Sequence, residues 1–122
     1  MNDIAIIRMS QCVNLTEYPP AVLASPYNNN VASGDMLELY GFGRIGENVG
    51  RSGDTKQLQM ARLPYITNSQ CKEYFGSKIK YGMFCAGYAQ GGVDACQGDS
   101  GSGIFKPPQS SGEPAVLMGV VR

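Results

Sequence analysis

The residues most suited to chemistry lie close together in the segment 94–103, which reads DACQGDSGSG. Acyl transfer needs an exposed hydroxyl on a turn, together with N–H donors directed at the oxyanion that develops during the reaction. The glycines on either side of Ser100, Gly98 and Gly101, permit a close turn and leave backbone N–H groups free to face a substrate carbonyl. Because a G-x-S-G tetrapeptide alone is more typical of a flexible surface turn, this segment identifies Ser100 only as a candidate nucleophile.

The base that such a hydroxyl needs is not obvious, because the 122 residues include no histidine. This count excludes a histidine-based zinc site and any serine–histidine pair built from these residues alone. The four cysteines allow three pairings and none lies in a CxxC motif, so we expect neither a metal nor a cofactor.

Charge and hydropathy exclude two further classes of partner. Lys+Arg and Asp+Glu number 10 each, and a chain without net charge offers no basic field for nucleic acid or anionic lipid. No apolar run approaches the ~18 residues of a membrane span. We therefore expect neither a nucleic-acid nor a membrane partner.

Short strands and one helix must position the candidate nucleophile. Glycine is frequent, at 16 of 122 residues, and 43% of the residues are hydrophobic, which together favour an all-β domain with tight turns. Thr67 followed by Gln70 fits a capping box, so we predict a helix from Asn68 to about Phe75 that ends at Gly76. The predicted strands are residues 3–9, 35–40, 58–65, 83–86, 103–106 and 116–121.

Two segments have the composition of loops. Residues 14–34 contain two adjacent prolines and three consecutive asparagines, which predicts a connector, and residues 48–54 are polar and rich in glycine. The connector contains the N-glycosylation sequon Asn14-Leu15-Thr16, which matters only if the chain is secreted. Whether it is used stays open at this point.

Five segments carry motifs that occur in the same order in one known family. Residues 94–101 read DACQGDSG, and residues 84–87 read FCAG. The first resembles the active-site segment of trypsin-like serine endopeptidases of the chymotrypsin fold, and the second resembles a strand before it. Residues 1–5 (MNDIA), 41–43 (GFG) and 118–121 (MGVV) resemble the segments written NNDIA, GWG and GIVSWG in that family. The resemblance covers nearly the whole chain and implies a double antiparallel β-barrel with one short intermediate helix.

This resemblance also implies a domain organisation. Residues 1–13 would form the last part of the first barrel, residues 14–34 the connector between barrels, and residues 35–122 an incomplete second barrel. The catalytic histidine of the family precedes the part matched here, and the family continues after it. We therefore expect a fragment that is inactive toward peptides by itself and that aggregates through exposed strand edges.

Catalytic roles follow from the same resemblance, residue by residue. Ser100 would be the nucleophile, and the backbone N–H groups of Gly98 and Ser100 would form the oxyanion hole. Asp3 would be the carboxylate that orients the histidine of the catalytic triad.

Substrate contacts and activation are implied in the same way. Asp94 and Gln97 would bind substrate, with Asp94 as a buried carboxylate at the floor of the primary specificity pocket. Such a group pairs with Arg or Lys, so cleavage after these residues is expected. Asp99 would pair with the amine released when a zymogen is cleaved.

The resemblance pairs two of the four cysteines and leaves the other two free. Cys71 and Cys85 match a family disulfide, and a loop of this length gives on the order of 3 kcal/mol. The family partners of Cys12 and Cys96 lie outside the chain, so both would be free thiols.

The resemblance implies a secreted serine endopeptidase that acts on peptide or protein substrates, meets proteinaceous inhibitors and is monomeric at full length. A second interpretation is a non-catalytic homologue that serves as a binding or regulatory module, and a third is a truncated gene model. An upstream segment like Ala-Ala-His-Cys would favour the enzyme, and its absence would favour the homologue.

Overall fold

The computed structural model describes residues 4–46 and 56–122, and its body is one curled sheet of six strands. In space the strands follow the order β1-β6-β5-β2-β3-β4. Neighbouring strands pair antiparallel, except that β1 runs parallel to β6. In chain order they are β1 (Val22–Leu23), β2 (Met36–Gly41), β3 (Gln59–Ile66), β4 (Cys85–Ala86), β5 (Gly103–Lys106) and β6 (Val116–Val120). This confirms the predicted all-β class and is consistent with a half of the chymotrypsin-like fold.

The core of the sheet consists of aliphatic side chains on its three central strands. Leu37 and Leu39 of β2 are buried, as the period of two along a half-buried strand requires. Leu37 lies opposite Leu63 of β3, and Leu39 lies opposite Ile104 of β5. Burying a side chain of this size contributes about 1.5–3 kcal/mol, so this cluster fixes the register of the strands around which the sheet curls.

The predicted helix is present with its predicted ends. Helix α1 spans Asn68–Phe75, and the Thr67 hydroxyl and the Gln70 side chain form the expected capping box at its start. Gly76 ends the helix with a φ of 57°, a conformation that favours glycine. A short 3₁₀ turn, Gly76–Lys78, follows. Among the described residues no helix has the length and apolar character needed to cross a membrane.

A disulfide fixes this helix to the sheet. Cys71 of α1 is fully buried and is bonded to Cys85 of β4, as the sequence resemblance implied. Cys12 and Cys96 carry free thiols, also as expected.

The structure differs from the sequence prediction in two segments, residues 4–9 and residues 22–23. Residues 4–9, predicted as part of a strand, form no strand, and the prediction was wrong for them. Ile6 is 98% exposed, because no described strand pairs with this apolar segment. Conversely, β1 lies inside the predicted connector, where Ala24 donates to the carbonyl of Leu117 at 3.0 Å. The predicted loop at 48–54 and Asp3 lie outside the described residues.

Candidate active site

Ser100 lies on a double turn between the end of the 94–98 loop and β5. The N–H of Asp99 donates to the carbonyl of Cys96 at 3.0 Å, and the N–H of Ser102 donates to the carbonyl of Asp99 at 2.9 Å. Gly98 and Gly101 have φ angles of 99° and 92°, which a residue with a Cβ adopts only with strain. The result is an exposed Ser100 side chain at the apex of the turn.

Hydrogen bonds fasten this turn to the sheet at both ends. On one side, the N–H of Arg44 donates to the carbonyl of Gln97 at 3.0 Å. On the other, Gly101 donates to the carbonyl of Val121, and Val121 donates to the carbonyl of Ser102, both at 2.9 Å. The backbone on which the Ser100 hydroxyl stands is therefore held by two separate parts of the chain.

The carboxylate of Asp99 lies beneath the turn and is 7% exposed. Its Oδ1 accepts from the N–H of Gly43 and its Oδ2 accepts from the N–H of Cys96, each at 2.9 Å. A buried carboxylate needs such donors, because transfer out of water is costly for a charged group. The two oxygens of Asp99 thus bind the Ser100 turn to one residue nearby in sequence, Cys96, and to one distant residue, Gly43.

Two glycines make room for this carboxylate. A Cβ added to Gly43 would lie 2.5–2.6 Å from the carboxyl carbon and both oxygens of Asp99, and one added to Gly41 would overlap Oδ1. A Cβ on Gly98 would lie 3.0 Å from the Cα of Gly43. The Ser100 turn and the end of β2 therefore approach one another as closely as backbone allows.

The N–H groups expected to form an oxyanion hole are available. In the described parts of the chain, the N–H groups of Gly98 and Ser100 donate to no acceptor, whereas those of Asp99, Gly101 and Ser102 are all bonded. Free N–H donors in the turn of an exposed serine can stabilise the negative charge that forms during acyl transfer.

The remaining predicted site residues are Asp94, Gln97 and Asp3. Asp94 is exposed, and its Oδ1 accepts from the N–H of Ala95 at 2.7 Å, so the expected buried carboxylate is not observed. The adjacent residues 91–93 are exposed as well and do not enclose it. The Gln97 side chain is also exposed, and Asp3 lies outside the described residues. The structure thus brings Gly98, Asp99 and Ser100 together and leaves Asp94 on the surface.

Sequence reasoning did not identify Gly41 and Gly43 as parts of this site. It noted them only as a segment that resembles a family turn. Positions two residues apart face the same side of an extended chain. Glycine at both of them indicated that a bulky group packs against that side. The group is the Asp99 carboxylate.

A cavity of about 540 Å³ lies elsewhere, between α1, β3, β6 and the segment 80–84. Tyr65, Phe84 and Met118 line its apolar part, and Lys72 and Lys80 line its rim. None of its lining residues belongs to the Ser100 turn, so this cavity is separate from the candidate nucleophile.

Comparison with known proteins identifies the family. The family model described as Trypsin matches residues 1–122. Trypsin-1 of Salmo salar is 36% identical over 120 residues, and Trypsin-10 of Gadus morhua is 37% identical over 120 residues. In both cases the match covers 98% of this chain and 45% of the relative.

The chain therefore belongs to the trypsin family of serine endopeptidases. It spans a little under half the length of the curated relatives that it matches.

Proposed function

We propose that the chain supplies the nucleophile, the oxyanion hole and the primary specificity residue of a secreted serine endopeptidase that cleaves after Arg or Lys. The observation that carries this proposal is the exposed Ser100 on a turn whose Gly98 and Ser100 N–H groups donate to no acceptor among the described residues. Membership of the trypsin family supports the reaction class. In this proposal residues 1–13 complete a first barrel, residues 14–34 connect the barrels and residues 35–122 form most of the second.

The reaction begins at the Ser100 hydroxyl. Its oxygen attacks the scissile carbonyl while the proton passes to a histidine from a polypeptide segment outside these 122 residues. The oxyanion accepts hydrogen bonds from the N–H groups of Gly98 and Ser100. Collapse of this intermediate expels the amine, and water then hydrolyses the acyl-enzyme.

Other residues orient this chemistry. Asp3 holds the histidine by accepting a hydrogen bond from its ring N–H. Asp94 and Gln97 bind substrate, and Asp94 pairs with the cationic side chain before the cleaved bond. The carboxylate of Asp99 pairs with the N-terminal amine that is released when the zymogen is cleaved. Asp94 becomes enclosed only when the rest of the protein packs around it.

The proposed function also includes the location and the partners of the whole protein. The whole protein is extracellular, monomeric and without cofactor, acts on peptides or proteins, and meets proteinaceous inhibitors. Neither nucleic acid nor membrane is a partner.

The test uses a joined protein, in which this chain replaces the matching region of Salmo salar Trypsin-1 and the remaining segments come from that relative. A panel of peptides that differ only in the residue before the cleaved bond is assayed with the joined protein, its Ser100→Ala variant and the 122-residue chain. We expect cleavage after Arg and Lys by the joined protein alone. Preference for aromatic residues would contradict the specificity. A folded joined protein that cleaves nothing would instead favour a non-catalytic homologue.

A further inference from the structure

We propose that Asn14 is an N-glycosylation site, modified while the protein is being exported. The proposal rests on the extracellular location that is part of the proposed function. Asn14-Leu15-Thr16 is the single sequon in the 122 residues, and neither Leu15 nor the following Glu17 is a proline that would block it.

The structure presents this sequon on an exposed turn. The carbonyl of Asn14 accepts from the N–H groups of Glu17 and Tyr18, at 3.2 and 2.8 Å. Asn14, Leu15 and Thr16 are all exposed, and they belong to no strand or helix that a transferase would have to unfold. A large polar adduct fits only at such a surface position.

The side-chain amide of Asn14 is oriented for reaction at nitrogen. Its Oδ1 accepts from the N–H of Thr16 at 3.1 Å, and its Nδ2 donates to no acceptor among the described residues. The hydrogen bond draws electron density toward Oδ1 and makes a proton on Nδ2 easier to remove. No hydrogen bond of the Thr16 hydroxyl is present in the described parts of the chain, where Thr16 bonds through its backbone N–H, so a transferase can contact the hydroxyl.

The reaction transfers a glycan from a lipid-linked sugar diphosphate. Nδ2 of Asn14 forms a bond to C1 of the first sugar, and the bond between C1 and the diphosphate oxygen breaks. The lipid diphosphate leaves with the electron pair, and the proton of Nδ2 passes to a base of the transferase.

A glycan here has a physical consequence for the surface around it. Val13, Leu15 and Tyr18 are 39%, 64% and 62% exposed, so apolar area surrounds the sequon. A glycan on Asn14 would cover part of this area and keep that face of the connector directed to water. The remaining parts of the protein must then pack against other faces of the connector.

The experiment expresses the full chain behind an export leader in eukaryotic cells, alone and as the joined protein. The sample is treated with a peptide N-glycosidase, which converts a glycosylated Asn to Asp, and mass spectrometry then shows whether Asn14 has been converted. We expect this conversion in the original chain and in Thr16→Ser, which preserves the sequon. We expect complete loss of the glycan in Asn14→Gln and Thr16→Ala.

A C-terminal Asn-Gly-Thr tail serves as the internal control for passage through the glycosylating compartment. An unmodified Asn14 in a chain whose tail is modified would overturn the proposal. A tail that is never modified would also overturn it, because the chain would then not have been exported. Peptidase activity of the joined protein is measured separately. Glycosylation without activity would therefore contradict the proposed function and leave this inference standing.

Discussion

The carboxylate of Asp99 accepts the N–H of Gly43 at 2.9 Å, although 56 residues separate the two along the chain. This bond joins the turn that carries Ser100 to the end of β2, one of the central strands of the sheet. The second oxygen of Asp99 accepts from Cys96 inside the loop that precedes the turn. The position of the candidate nucleophile thus depends on the buried carboxylate of the residue that precedes it.

The first prediction concerns the space that Gly43 leaves. In Gly43→Ala the new Cβ would lie about 2.5 Å from the carboxyl group of Asp99, so the carboxylate must move and loses its N–H donor. We expect a loss of about 1–3 kcal/mol in the free energy of unfolding. We also expect phosphonylation of Ser100 in the joined protein to slow by at least about tenfold.

Gly119→Ala is the matched control for this change. Its Cβ would lie 2.8 Å from the ring of Phe84, so it crowds the core to a similar degree without contacting Asp99. It should lower the free energy of unfolding and leave the labelling rate of the folded protein nearly unchanged. Equal labelling rates in the two variants would show that the contact with Asp99 does not position Ser100.

The second prediction concerns specificity and Asp94. Asp94→Asn retains size and removes charge, so a cationic substrate loses its partner at a cost of about 2–5 kcal/mol. The kcat/KM for Arg and Lys peptides should fall by a factor of about 30 or more, with little change for neutral residues. Asp94→Glu keeps the charge and should retain the preference. An unchanged ratio between Arg and neutral peptides in Asp94→Asn would assign specificity to another group.

The third prediction concerns the disulfide between Cys71 and Cys85. A bond that links residues 14 apart in sequence should stabilise the fold by about 3 kcal/mol. Urea unfolding of the joined protein with both residues changed to Ser should show this loss. Cys12 and Cys96 are kept in both proteins, so that the two differ only at Cys71 and Cys85. A midpoint that does not move on removing the disulfide would contradict the prediction.

The fourth prediction concerns the pH dependence of a surface cluster on β2 and β3. The Tyr40 hydroxyl donates to Glu38 at 2.8 Å, and this bond, with burial and the charge of Glu38, raises the pKa of Tyr40 above its ordinary value. Arg62, which is bound to Glu38, offsets part of this increase. Because the fold favours the protonated phenol, the stability that this contact adds is present below the ordinary pKa. It is lost as the pH rises through the raised one.

NMR titration of Cζ-labelled tyrosine measures this directly, with Tyr40→Phe to identify the resonance. Tyr40 should deprotonate at a higher pH than an ordinary tyrosine, and Glu38→Ala should lower that pH. A pKa of Tyr40 that does not respond to Glu38→Ala would disprove the assigned cause.

Local signals in the sequence were enough to predict most of the sheet and the helix. Strands β2, β3 and β5 carry the core leucines and Ile104, and the capping box of Thr67 and Gln70 defines the start of α1. Strand β1 could not be predicted, because two residues paired in parallel to β6 have no periodicity of their own. Residues 4–9 have the composition of a strand but lack a pairing strand among the described residues.

The candidate site was predictable only in its local part. The turn at Ser100 follows from the glycines beside it, whose positive φ angles the segment requires. The bond from Gly43 to Asp99 depends on how distant parts of the chain pack. The spacing of Gly41 and Gly43 indicates that a group packs against them, but it does not identify that group as Asp99. The exposure of Asp94 likewise depends on what surrounds it and not on its neighbours in sequence.

The most direct test of the central claim measures how fast a fluorophosphonate labels Ser100. Intact-protein and peptide mass spectrometry follow the labelling of the joined protein, the 122-residue chain and a mixture of the chain with the remaining segments of the relative. We expect the joined protein to react at least about 10²-fold faster than the chain alone, because a positioned histidine contributes this much or more, and Ser100→Ala should not react. Equal rates for the chain and the joined protein, or labelling at a residue other than Ser100, would contradict the account.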